Sequence, residues 1–171
     1  RTLPPGRAEE FLAIIQTIDR RVQHYLLIKT IMSVLTAVLA ALILLAGRVD
    51  FVIFTGLLVF LLNYIPTFGS LLSTFFPVMI AFLKFGFSPR FILVTAALMA
   101  MQFVMGNVIE PQVMGRSMNL SPIIILLSLI FWGWMWGAVG MFLAVPITAA
   151  VQIVFASIPA LKPVAAAMCG E

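Results

Sequence analysis

Glu110 is the only acidic residue between Asp50 and Glu171, and Arg116 follows it by six positions. A carboxylate at the end of an apolar stretch can couple a proton or a cation, or form half of a switchable ion pair with that arginine. It can equally close the helix end at the membrane interface and pair locally. Gln102, Gly106 and Asn107 stand before it at spacings that gather all four on one helical face. Gln102 falls in mid-span, where its amide serves either a hydrogen bond inside a helix bundle or a solute pathway. Earlier in the chain, Asn63 opens the segment Asn63-Tyr64-Ile65-Pro66-Thr67-Phe68-Gly69. It either binds a solute or satisfies the backbone groups that Pro66 and Gly69 release. A second interruption runs Trp132-Gly133-Trp134-Met135-Trp136-Gly137, with Gly140 just beyond. Its tryptophans form an interfacial belt if the preceding stretch crosses completely, and line a cavity at a hairpin tip if it does not.

Other chemistries find no residues. One histidine excludes a His-ligand cluster, and the lone Cys169 excludes an intrachain disulfide or a Cys-based metal site. There is no Gly-rich phosphate loop and no hydrolytic or redox constellation, so neither an enzyme nor a cofactor or metal is expected. Of the 171 residues, 63% are hydrophobic and 9% charged, and mean hydropathy is +1.19. Soluble domains are about 45–50% apolar and about 25% charged. From Phe51 to Leu161 the charges are Lys84, Arg90, Glu110 and Arg116 alone. A soluble enzyme, a disordered tail and, despite the basic pI, a nucleic-acid binder are excluded; the partner is the lipid bilayer. The polar lead from Arg1 does not resemble a signal peptide, and the chain reads as a piece of a longer polypeptide.

These groups need helices to position them, and the expected class is all-α integral membrane. Residues 1–24 hold the Pro4-Pro5-Gly6 punctuation and an amphipathic juxtamembrane helix, with Phe11, Leu12, Ile15, Ile18 and Val22 on its apolar face. A first span covers about Tyr25–Ala46, with Lys29 near its entry and free to snorkel back to the interface. Phe51–Leu83 is 33 residues without charge, too long for one crossing, short for two, and broken at residues 63–69. A helical hairpin dipping into the membrane fits it. Residues 84–116 then supply a basic loop, a second span over Phe91–Ile109 and the polar turn Glu110-Pro111-Gln112-Val113-Met114-Gly115-Arg116. Residues 117–161 form a second broken hairpin, and 162–171 a cytoplasmic tail.

Each broken stretch follows a clean span and carries a proline in its second arm: Pro77 comes eight residues after Gly69, and Pro146 nine after Gly137. The unit of span plus hairpin therefore recurs over 25–83 and 91–157. Because a hairpin returns to its own side, the second unit is expected upside down, an inverted repeat of the kind that marks transporter binding sites. With both ends cytoplasmic, six basic residues lie inside and three outside, in agreement with the positive-inside rule.

The segments LLNYIPTFGSLLS (Leu61–Ser73) and GNVIEPQVMGRSMNLSPIIILLSLIFWGWMWGAVGMFLAVPITA (Gly106–Ala149) resemble the autoinducer-2 exporter family of membrane permeases. The resemblance covers nearly the whole chain. It implies a multispanning bacterial inner-membrane protein of which this chain is the C-terminal portion, with two re-entrant hairpins, pentameric homo-oligomers and an elevator-like alternating-access motion. It also implies export of a small polar solute, the quorum-sensing signal autoinducer-2, or in some members sodium(lithium)/proton antiport. Matched by motif, Asn63, Pro66 and Gly69 belong to the first hairpin tip. Asn107, Glu110, Pro111, Gly115 and Pro122 belong to a signature turn, and Trp132, Gly137 and Gly140 to the second tip. A non-transporting membrane scaffold is the alternative from another class.

Overall fold

The computed structural model describes residues 5–66, 68–114 and 120–170, and for residues 5–11 and 68 the backbone alone. The described residues are helical almost throughout. Three helical stretches, Leu12–Ala46, Pro89–Met114 and Pro122–Ser157, are long and apolar enough to cross a membrane. The chain is an all-α membrane protein. Large apolar side chains such as Ile53, Phe87 and Trp134 stand exposed, as they must where lipid or further protein replaces water.

Chain contacts divide the molecule into two compact units, one of residues 28–115 and one of residues 1–27 with 116–171. Helix α1 (Pro5–Ala46) contributes to both. The amphipathic segment and the first span are thus a single helix with no break near residue 24, because no proline or glycine interrupts residues 7–46.

In the unit 28–115, α1 turns through Gly47–Phe51 into α2 (Val52–Leu62), and α3 (Phe68–Phe85) follows after the break at 63–66. Helix α4 (Pro89–Val104) starts at Ser88, whose hydroxyl accepts the Phe91 N–H at 3.3 Å, with Pro89 in the first turn where its missing N–H costs nothing. Ala40, Leu44, Val59, Ala81, Val94 and Leu98 form the core where these helices meet. A smaller cluster of Ile28, Met32 and Met105 packs α1 against the end of α4.

The expected span end at Ile109 does not occur. A five-residue π-helical turn, Met105–Ile109, follows α4, and the chain continues as α5 (Glu110–Met114). The Glu110 N–H donates to the Met105 carbonyl five residues back. Proline offers no N–H and crowds the carbonyl one turn before it. The wide turn falls immediately ahead of Pro111, so the helix absorbs the proline and does not end there. Residues 110–114 of the expected polar turn are therefore helical.

In the other unit, α6 (Pro122–Ser157) contains one non-helical residue, Gly137 (φ 62°, ψ −139°). Only glycine adopts that backbone conformation without strain. The arms 122–136 and 138–157 fold back on each other: the Trp132 indole N–H donates to Thr148 Oγ1 at 3.2 Å, sixteen residues on. In an unbroken helix those residues would lie about 24 Å apart. The expected break over 132–137 thus narrows to one glycine, and all three tryptophans remain helical. A 3₁₀ turn (Pro159–Leu161) and α7 (Lys162–Ala167) close the chain, and Ser121 N–H donates to the Met168 carbonyl at 2.9 Å.

Candidate functional site

The polar residues of α1 repeat as Lys29, Ser33 and Thr36, spacings of four and three that align them on one face. That face points into protein, and all three side chains are buried. A lone ammonium there would carry a large desolvation penalty. Lys29 meets it by donating to Glu110 Oε1, eighty-one residues away. The side chains are 4% and 19% exposed, Lys29 the more deeply buried. Lys29 therefore does not snorkel to the interface as expected, and the partner found for Glu110 is this lysine. Arg116 and Gly115 lie outside the described residues.

The pair is set by two helices whose local sequences place it. The π-turn rotates Glu110 relative to an uninterrupted helix and keeps Gln102, Gly106, Asn107 and Glu110 on one side. The Asn107 side-chain amide donates to the Phe103 carbonyl at 3.2 Å, satisfying backbone at the edge of that wide turn.

One turn along α1, Asn63 Nδ2 donates to Ser33 Oγ at 3.1 Å, and the Tyr64 hydroxyl donates to Thr30 Oγ1 at 2.8 Å. Both bonds fasten the break between α2 and α3 to α1. Close packing of the break depends on Gly69: a Cβ at that position would lie 1.8 Å from the Leu62 carbonyl oxygen. The tip closes because position 69 has no side chain.

These elements line an open cavity of about 600 Å³. Lys29, Glu110, Asn63, Pro66, Gln102 and Asn107 all reach it, together with Ser70 and Thr74 of α3 and an apolar rim from Leu71, Met99 and Phe103. Six residues singled out in the sequence (Asn63, Pro66, Gln102, Gly106, Asn107 and Glu110) thus share one cavity. Lys29, Ser33 and Thr30 were missed. Polar residues three to four apart inside an apolar span were the available signal, since a stripe of that kind must face protein.

Trp132, Gly137 and Gly140 belong to the other unit. Gly140 repeats the contact of Gly69, its would-be Cβ 1.8 Å from the Trp132 carbonyl oxygen. Trp132 and Thr148 line a shallow groove of about 240 Å³ whose walls are otherwise mostly apolar. Pro111 is exposed on α5, and Pro122 stands exposed at the first turn of α6. Among the described residues no group of three or more His, Cys, Asp or Glu side chains is placed to hold a metal ion.

Residues 1–160 match the profile of the AI-2E family transporter. The chain is 43% identical over 148 residues to the AI-2 transport protein TqsA of Escherichia coli K12, which covers 86% of this chain and 43% of that protein. It is 44% identical over 145 residues to a putative transport protein of Haemophilus influenzae, 83% of this chain and 41% of the relative. A putative transport protein of Borreliella burgdorferi is 33% identical over 153 residues, 89% of this chain and 42% of its own length. The chain thus spans about two-fifths of the length of these curated relatives.

Proposed function

The chain belongs to the AI-2E family of transporters, and we propose that the cavity beside Lys29 and Glu110 is the solute site of such a transporter. The observation that carries this reading is a buried ion pair opening onto a polar-lined cavity of about 600 Å³. A charge pair inside an apolar helical protein is costly and weak evidence of stability. Its presence beside the cavity is best explained by use. The paired charges cancel, and Asn63, Gln102 and Asn107 present amides that donate and accept, which suits a small, uncharged, hydroxyl-rich solute. The small polar solute implied by the family resemblance is autoinducer-2, and the relative TqsA is named for AI-2 transport.

The proposed motion is alternating access, with the two broken stretches as re-entrant hairpins of an inverted repeat. Helix α2 supports this reading: eleven residues rise about 16 Å, half of the hydrocarbon thickness. Release of Asn63 from Ser33 and of Tyr64 from Thr30 would free the first tip. Bacterial inner-membrane placement, cytoplasmic ends and a pentameric assembly complete the proposal.

The test is solute flux in proteoliposomes carrying the full-length protein. Autoinducer-2 efflux is expected, and Lys29→Met or Glu110→Gln should each lower it more than tenfold at normal expression. Glu110→Gln should also alter the pH dependence of flux, and an unchanged profile removes Glu110 from coupling. Sodium(lithium)/proton antiport is the second reading, favoured by the carboxylate that the cavity exposes. Sodium-driven proton flux without added solute would establish it. Absence of any flux would leave the scaffold reading.

A further inference from the structure

Arg21 and Lys162 face one cavity of about 530 Å³ in the unit of residues 1–27 and 116–171. Arg21 comes from α1 and Lys162 from the start of α7, and both are exposed. Among the described residues neither has an acidic side chain within ion-pair distance, whereas Lys29 and Lys84 are both paired. Thr17 and Ser157 also line the cavity. Their hydroxyls already donate to the Ala13 and Ile153 carbonyls of their own helices, at 2.8 and 2.9 Å. The Gln152 amide in the same wall donates to Cys169 Sγ at 3.0 Å. The guanidinium and the ammonium are the cavity's charged donors, and that charge asks for an anion.

Position along the chain says which anion. Arg21 stands at the polar-to-apolar boundary of α1, four residues before Tyr25, and Lys162 directly follows the 45-residue charge-free stretch that ends at Leu161. Both cations thus lie where apolar membrane-length helices meet the aqueous phase, the depth of lipid headgroups. Ile14 and Ile153 give the same cavity apolar walls, which suit the glycerol and upper acyl region of a lipid and serve no purpose for an inorganic ion. A guanidinium grips two phosphate oxygens at once, and an ammonium adds a point charge.

We propose that this basic cavity is a phosphate site that holds the headgroup of an anionic phospholipid. The site shares no lining residue with the proposed solute cavity and does not depend on its assignment. One lipid there ties the start of α1 to the end of the second hairpin within a single unit, and basic pockets at this depth are a recurrent form of lipid recognition.

Native mass spectrometry of the full-length protein in detergent tests it, with phosphatidylglycerol or phosphatidylcholine added. The wild type should retain phosphatidylglycerol in preference to phosphatidylcholine. Each of Arg21→Gln and Lys162→Gln should weaken retention roughly fivefold, and the double variant more than tenfold. The double variant Lys84→Gln/Arg90→Gln, which removes equal charge elsewhere, should retain the lipid like the wild type. The charge-conserving swap Arg21→Lys/Lys162→Arg should keep binding and controls for misfolding. Equal retention of the two lipids, or equal loss in the Lys84/Arg90 variant, would overturn the proposal. Displacement of phosphatidylglycerol by millimolar inorganic phosphate would overturn the lipid as the ligand and assign the site to the free ion.

Discussion

The two broken apolar stretches share a mechanical device and differ in chemistry. In each, a glycine near the start of the second arm touches a carbonyl of the first arm: Gly69 against Leu62, and Gly140 against Trp132. Each second arm also holds a buried proline, Pro77 or Pro146. The tips then diverge. The first is several residues long, places Asn63 and Tyr64 on α1 hydroxyls, and opens onto the Lys29–Glu110 pair. The second reverses at Gly137 alone, and its Trp132 donates to Thr148 of its own second arm. Glycine contacts are thus the scaffold of both stretches, and a polar tip that opens onto a buried ion pair is particular to the first. A site is marked by what the scaffold does not require.

The largest test of that distinction is the ion pair. Removing one partner leaves an uncompensated buried charge, so Lys29→Met is expected to destabilise by about 3–5 kcal/mol. Adding Glu110→Gln should recover much of the loss, because no charge then remains buried. The exposed pair Asp50–Lys84, at 2.6 Å, provides the contrast: Lys84→Met should cost no more than about 1 kcal/mol. Thermal melting of the purified full-length variants measures all four proteins. A double variant as unstable as Lys29→Met would mean that lysine's packing, and not its charge, matters. The same double variant should remain inactive in flux, which separates stability from use.

Next in size is the shared device. Gly69→Ala and Gly140→Ala each drive a methyl to 1.8 Å from a backbone oxygen. The obstacle is main chain and cannot rotate away, so each should cost about 3 kcal/mol or more, at the upper end of overpacking. Near-equal losses in the two variants would support one scaffold used twice. Gly137→Ala meets no neighbour and pays only backbone strain, about 1–3 kcal/mol. A loss at position 140 no greater than at 137 would mean that the second arms are not held by glycine contact.

The same contrast explains what could be read before the fold was known. Proline and glycine act on their own backbone, so the interruptions at Pro66 and Gly137 were visible in composition, as was the common face of Gln102, Asn107 and Glu110. The π-turn was not, because helix periodicity does not say whether a proline ends a helix or is absorbed by a wider turn ahead of it. Lys29 pairs with Glu110 across eighty-one residues, and no local pattern encodes a partner at that range. The tightness around Gly69 and Gly140 was hidden for the same reason, since the obstructing carbonyl belongs to the opposite arm. Local rules located the breaks, and long-range packing decided what each break holds.

The finest comparison is between one hydrogen bond at each tip. Trp132→Phe keeps the ring and deletes the donor to Thr148. It should cost about 0.5–1.5 kcal/mol, the ordinary net worth of such a bond. Asn63→Ala removes the donor to Ser33 from a more deeply buried place, and about 1–3 kcal/mol is expected once the remaining hydroxyl loses its partner. Stability alone would scarcely separate them, so flux is the informative reading. If the first tip carries the solute site, Asn63→Ala should lower transport well beyond its share of lost folded protein, and Trp132→Phe should track folded protein alone. Matching flux losses at matching stability would erase the asymmetry between the stretches and require that both tips contact the solute. That outcome would move Thr148 and Trp132 from scaffold to site, because a donor whose loss slows transport beyond the loss of folded protein takes part in the transport step itself.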